Sequence, residues 1–174
     1  MIRLPDGRII LTPCKTGSSS LHRHLCPPGQ VILGPQLNGT IEKHGIHLPY
    51  GETGPYFVVV RNPYTRAISL YLHWLANYED IMWKDFVQTS LIQNPWNSSI
   101  STMMEKFKHP YQYWKLEYIE SCLKDADLPM NMEHLNVSKP FNEDYYGDLA
   151  NVGAVCRWAY RDFKQFDYSL EVPS

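Results

Sequence analysis

The stretch Pro55-Tyr-Phe-Val-Val-Val60 constrains the fold more than any other part of this chain. Its apolar, largely β-branched residues run on without the polar alternation of a half-exposed strand, so both faces are expected to be covered. A strand buried on both faces belongs in an α/β arrangement, with helices packed on a parallel sheet. The residues that follow agree. Arg61-Asn-Pro-Tyr-Thr-Arg66 offers Asn62 as a helix N-cap and Pro63 at the first helical position. The helix is predicted to run to about Asn77, with Ala67, Leu70, Tyr71, Trp74 and Leu75 at the spacing of a core stripe. Asn62, Arg66, Ser69 and His73 fall on the opposite face. Arg61, Arg66 and Ser69 are then available to one ligand at the carboxyl end of the strand, the usual ligand edge of an open α/β sheet.

A second strand-to-helix junction lies upstream. Ile9 to Thr12 reads as a short buried strand, Pro13 to Gly17 as a tight polar loop, and Ser18 to Leu25 as the opening of a helix. A helix N-terminus presents unpaired backbone N–H groups and the positive end of the helix dipole, and both favour a bound anion. Lys15, Thr16, Ser18, Ser19 and Ser20 add one charge and four hydroxyls there, around Gly17. This is the composition of a phosphate cradle. The order of residues excludes two common kinds. A nucleoside-triphosphate loop has its lysine after the last glycine, whereas Lys15 precedes Gly17 and no upstream glycine closes the loop. A cysteine-phosphatase loop, C-x5-R, requires arginine where Ser20 stands.

Charge is distributed unevenly along the 174 residues, which suit a single domain over 1–174. Residues 1–74 carry seven Lys/Arg against three Asp/Glu, and the remainder carries nine against fifteen. The basic half therefore holds both anion motifs, while a net charge of −2 argues against a non-specific nucleic-acid binder. Cys14, Cys26, Cys122 and Cys156 show no C-x-x-C pairing, and the seven histidines form no Cys/His cluster, so neither a disulfide framework nor a metal is expected. No apolar run nears the ~20 residues that span a bilayer, and the N-terminus has no signal-peptide core. The expectation is a cytoplasmic protein without a membrane span.

Elsewhere, Gln30-Val-Ile-Leu-Gly34 reads as a strand, and residues 35–55 are loop-rich around Glu42-Lys-His-Gly-Ile-His47. A helix is predicted around Ile81 to Leu91, followed by a turn at Asn94-Pro95. Phe107-Lys-His-Pro-Tyr-Gln-Tyr-Trp114 is an aromatic-rich stretch suited equally to sugar stacking or to loop packing. A polar helix is expected near Ser121 to Asp127. An amphipathic one over about Leu149 to Gln165 would bury Val152, Val155, Trp158, Ala159, Phe163 and Phe166.

Two motifs carry a resemblance. P-x-K-[ST]-G-[ST]-[ST]-[ST] over Pro13–Ser20 resembles the 5′-phosphosulfate loop of sulfotransferases that use 3′-phosphoadenosine-5′-phosphosulfate (PAPS). V-V-R-N-P-Y-T-R-A-I-S-L-Y resembles the 3′-phosphate segment of the same enzymes, which places Arg61 and Ser69 on that phosphate. Leu116-Glu117, Leu135-Asn-Val-Ser138 and the ending D-F-x-x-F-x-Y over Asp162 to Tyr168 are similar to the carbohydrate sulfotransferases. The resemblance is best in residues 9–75 and 133–168 and weakest in 79–114.

It implies a P-loop-NTPase-like three-layer α/β fold with a central parallel sheet, and sulfuryl transfer from PAPS to an acceptor hydroxyl on a small molecule, glycan or glycolipid, leaving adenosine 3′,5′-bisphosphate (PAP). Lys15 would stabilise the leaving oxygen, and Thr16, Gly17, Ser18, Ser19 and Ser20 would hold the 5′-phosphate. A K-H segment supplies the base in these enzymes, which points to His44, with His47 in reserve. Arg66 is left open between an ion pair and a rim contact. Two alternatives stand beside this: a non-catalytic PAP- or PAPS-binding relative, and a P-loop kinase or hydrolase, for which the lysine after glycine and an acidic magnesium ligand are missing.

Overall fold

A computed structural model describes residues 1–26, 36–37, 40–41, 53–78, 80–130, 132 and 143–173. Its strands are β1 (Ile2–Arg3), β2 (Ile9–Leu11), β3 (Gln36–Leu37), β4 (Thr40–Ile41), β5 (Tyr56–Val60) and β6 (Tyr111–Lys115). Its helices are α1 (Ser18–Leu25), α2 (Pro63–Asn77), α3 (Trp83–Gln88), α4 (Ser90–Gln93), α5 (Ile100–Met104), α6 (Ile119–Asp125), α7 (Leu149–Trp158) and α8 (Tyr160–Gln165). The chain divides into two compact units, residues 1–61 with 104–136, and residues 62–103 with 137–174.

The first unit is α/β. Its open sheet has the order β1-β2-β5-β6, with β5 parallel to both β2 and β6. The apolar run 56–60 is thus an interior parallel strand, as its composition requires. The sheet as a whole is mixed, because β1 pairs antiparallel with β2. The cause is local: Gly7 N–H donates to Leu4 O and Leu4 N–H to Arg8 O, a tight turn that can only return the chain antiparallel. β3 and β4 form a separate antiparallel pair. The core cluster joins Ile10, Val59 and Trp114 of the sheet to Leu21 and Leu25 of α1 and to Ile119 and Leu123 of α6. Those two helices therefore cover the face bearing Val59.

Strand β6 is a departure from the sequence reading, which saw only an aromatic stretch there. Gln112 and Tyr113 are exposed, and only Trp114 is buried, with its ring 4.6 Å from that of Phe57. A strand with one buried residue at the end of the strand order has no alternation to read.

In the second unit α2 starts as expected, with Asn62 Oδ1 accepting from Tyr64 N–H at 3.0 Å and Pro63 at its first turn. Its burial differs from the predicted stripe. Arg66 and Ser69 are buried along with Tyr64, Ala67, Ile68, Leu70 and Tyr71, so the first half of α2 has no exposed face. Arg66 is fully buried; its Nη2 donates to Ser98 O at 3.0 Å, and its guanidinium lies 5.2 Å from the Trp158 ring centroid. This is a structural cation held by a carbonyl and an aromatic face, not a rim contact.

The other two helices predicted in this unit are interrupted. The middle one breaks at Thr89, whose hydroxyl donates back to Asp85 O at 2.6 Å, the backbone competition that disfavours Thr inside helices. The C-terminal one breaks at Ala159 into α7 and α8. The break lets buried Asp162 accept from Ile100 N–H at 2.9 Å and Ser101 N–H at 2.7 Å, capping α5. The strand predicted at Gln30–Gly34 and the motif Leu135–Ser138 lie outside the described residues.

Candidate functional site

The predicted cradle has the predicted local structure. β2 ends at Leu11, the chain turns through Thr12–Gly17, and α1 begins at Ser18. Two left-handed residues shape the turn, Lys15 at φ 65° and Gly17 at φ 77°. Between them Thr16 is fully buried, and in this conformation its N–H and hydroxyl both donate to Pro13 O, at 3.3 and 2.7 Å. Thr16 therefore shapes the loop from inside. Gly17 is the N-cap of α1 and brings no side-chain cap, and the first turn holds no acidic residue. At the far end of the helix Arg23, in the last turn, complements the negative end of the dipole. Ser19 is exposed, whereas Ser18 and Ser20 are buried.

The loop is also seated from the neighbouring strands. A Cβ on Gly17 would lie 2.6 Å from Leu116 Cδ1, so the residue after β6 packs directly against the turn. Arg61, the residue after β5, is half-buried and donates from Nη1 to Lys15 O at 3.3 Å. The structure thus brings Arg61 to the loop that carries Lys15, at the carboxyl edge of adjacent parallel strands. Lys15 is half-buried too. Burial pushes its pKa below the ordinary lysine value and the nearby Arg61 charge pushes the same way, while Cys14 opposes them. Lys115, in register with Val60, adds a third cation to that edge.

Other predicted residues fall elsewhere. Ser69 belongs to the second unit, buried on α2. Lys43, His44 and His47 lie outside the described residues. His109, a further histidine from the aromatic-rich stretch 107–114, is exposed, with its ring 5.1 Å from that of Tyr56 at the start of β5. Arg61 follows the other end, and a five-residue strand separates its ends by about 13 Å. His109 is therefore remote from the loop. Lys115 was not singled out by sequence, and Leu116 was noted only with Glu117 as part of the resemblance, because nothing marked β6 as the strand that delivers them to the loop.

Among the described residues no group of three or more His, Cys, Asp or Glu could hold a metal ion, and no helix is long and apolar enough to cross a membrane. Comparison with protein-family models, curated proteins and solved structures gives no match. The site stands on its own geometry.

Proposed function

We propose that this chain is a PAPS-dependent sulfotransferase acting on a hydroxyl acceptor, with the fold of the P-loop-like nucleotide-binding proteins. One observation carries the reading: the two anion motifs, 46 positions apart, meet through the Arg61–Lys15 hydrogen bond. A nucleotide with phosphates at both its 5′ and 3′ positions is a ligand that needs two cationic anchors on one edge of a sheet.

In the proposed reaction the acceptor oxygen forms a bond to sulfur as the bond from sulfur to the bridging 5′-phosphate oxygen breaks. The electron pair leaves with PAP. Lys15 is the cation for that oxygen, since a compact ammonium beside a half-buried loop is effective where negative charge develops. Ser18 to Ser20 offer their backbone N–H groups at the start of α1 to the 5′-phosphate, with the exposed Ser19 hydroxyl beside them. Arg61 carries the 3′-phosphate. His44 takes the hydroxyl proton; this role rests on the Lys43-His44 resemblance alone. The acceptor class, a small molecule or glycan, likewise rests on resemblance.

The test is thermal-shift and calorimetric titration with PAP, AMP and ATP with magnesium, followed by PAP release from PAPS in an acceptor screen. Preferential stabilisation by PAP and acceptor-dependent turnover support the reading. Binding without turnover leaves a non-catalytic PAP-binding relative, and preference for magnesium-ATP overturns the assignment.

A further inference from the structure

We infer that Arg61 is a positioning residue for Lys15: it braces the left-handed backbone of the anion loop, and so couples recognition of a nucleotide's 3′-phosphate to the lysine at its 5′ end. The coupling half rests on the PAPS reading; the bracing half does not.

Lys15 at φ 65° is in a region that long side chains enter at a cost of about 1–2 kcal/mol, and such a conformation persists only where its surroundings over-determine it. Among the described residues, three contacts act on this turn. Thr16 closes the turn on Pro13, Gly17 seats on Leu116, and Arg61 Nη1 holds the Lys15 carbonyl. The first is internal to the loop and the second is apolar contact. Of the three, the third alone reaches the strained residue itself, from another strand, with a charged donor. The same contact brings two cations together, and the downward push of Arg61 on the Lys15 pKa is the electrostatic cost. A bound oxyanion between them would relieve it.

The guanidinium can do both jobs at once. It has five N–H donors in a fixed fork, so it can hold the Lys15 carbonyl together with further acceptors. An oxyanion can be engaged by the same plane while Nη1 stays in place. A lysine at position 61 keeps the charge but has no rigid fork to bridge two acceptors. Recognition of the 3′-phosphate and the position of the Lys15 backbone are therefore mechanically linked. A nucleotide without that phosphate should lose turnover as well as affinity.

The bracing half is read on the free protein by amide hydrogen exchange over residues 13–20. Arg61→Ala and Arg61→Lys should each speed exchange of the loop about tenfold, the loss of one charge-assisted hydrogen bond, with the sheet peptides unchanged. In a Lys15→Gly background, where the left-handed backbone is intrinsically allowed, the same Arg61 substitutions should have much less effect. Unchanged loop exchange, or an equal effect in both backgrounds, overturns the brace. Should Arg61→Ala fail to fold, Arg61→Lys decides.

The coupling half is read with PAP and AMP. Arg61→Lys should weaken AMP about fivefold, although AMP has no 3′-phosphate, and should weaken PAP more. Loss confined to PAP makes Arg61 a plain phosphate ligand and overturns the coupling. Failure of the unmodified protein to bind either nucleotide overturns the sulfotransferase reading and the coupling with it, while hydrogen exchange still decides the brace.

Discussion

Gly17→Ala tests whether the turn is built as described, and its cost separates into two parts. The first is conformational. At φ 77° an alanine meets the steric cost of the left-handed region, about 1–2 kcal/mol. The second is contact with Leu116. A Cβ 2.6 Å from Cδ1 is closer than real Cβ atoms come to a neighbour, so the leucine must turn away. Cδ1 is the end of a flexible side chain, and displacing it off its rotamer costs about 0.5–1.5 kcal/mol. The sum is about 1.5–3.5 kcal/mol.

Gly7 provides the calibration within the same unit. It has φ 89°, and a Cβ there meets nothing within 4 Å. Gly7→Ala should show the conformational part alone, about 1–2 kcal/mol. Denaturant unfolding of the two variants gives the difference as a shift in midpoint at unchanged slope. Adding Leu116→Ala to Gly17→Ala should then recover the contact part, a sub-additive pair. Equal costs for Gly7→Ala and Gly17→Ala, or strict additivity with Leu116→Ala, would refute the claim that the end of β6 seats the loop.

Further outcomes follow from the site and the fold. Lys15→Ala should lower turnover about 10²–10³-fold with a smaller loss of PAPS affinity, and a loss confined to affinity would make Lys15 a ground-state contact. Burial holds the Lys15 pKa below the ordinary lysine value, so the protonated form, and PAP affinity with it, should fall off at a lower alkaline pH than for an exposed lysine. Lys15→Arg should remove that limb, and a limb that persists would belong to another group. His44→Ala should cost about 10²–10⁴ in turnover with PAP binding kept, and His47→Ala much less; the reverse pattern in steady-state assays would transfer the base to His47. Asp162→Ala removes the acceptor of two backbone N–H groups and should destabilise the chain by about 1–3 kcal/mol, measured by thermal or denaturant unfolding, with the loop at Lys15 unaffected.

The elements legible in the sequence were those decided by near neighbours. The junction from Leu11 to Ser18 is fixed by a β-branched run, a proline, a glycine and three serines within a short span of chain. Asn62 and Pro63 start α2 by the same kind of local chemistry. The elements that were not legible depend on partners far away in the chain. β6 exists because β5 offers it a parallel edge and Phe57 offers Trp114 a ring. The break at Ala159 coincides with a cap supplied to α5, some sixty residues away in sequence. Even the closing D-F motif, read as a family signature, has a plain physical content: Asp162 caps α5 and Phe163 packs edge-on to Tyr64 at 5.2 Å.

Arg66 shows how helical periodicity can misassign a functional face. The stripe through Ala67, Leu70, Tyr71 and Trp74 leaves Arg66 and Ser69 opposite, and a helix with one apolar stripe ordinarily exposes its other side. In the first half of α2 that inference fails because both sides are buried. Polarity of a residue then says nothing about solvent; it says that a partner must be found inside. Arg66 finds the Ser98 carbonyl and the Trp158 ring, so removing its charge should act on folding before it acts on any ligand. Arg61, five residues earlier and half-buried at a strand end, is the arginine of the pair whose position serves the loop at Lys15. The two are alike in the motif, and burial is what assigns them different work.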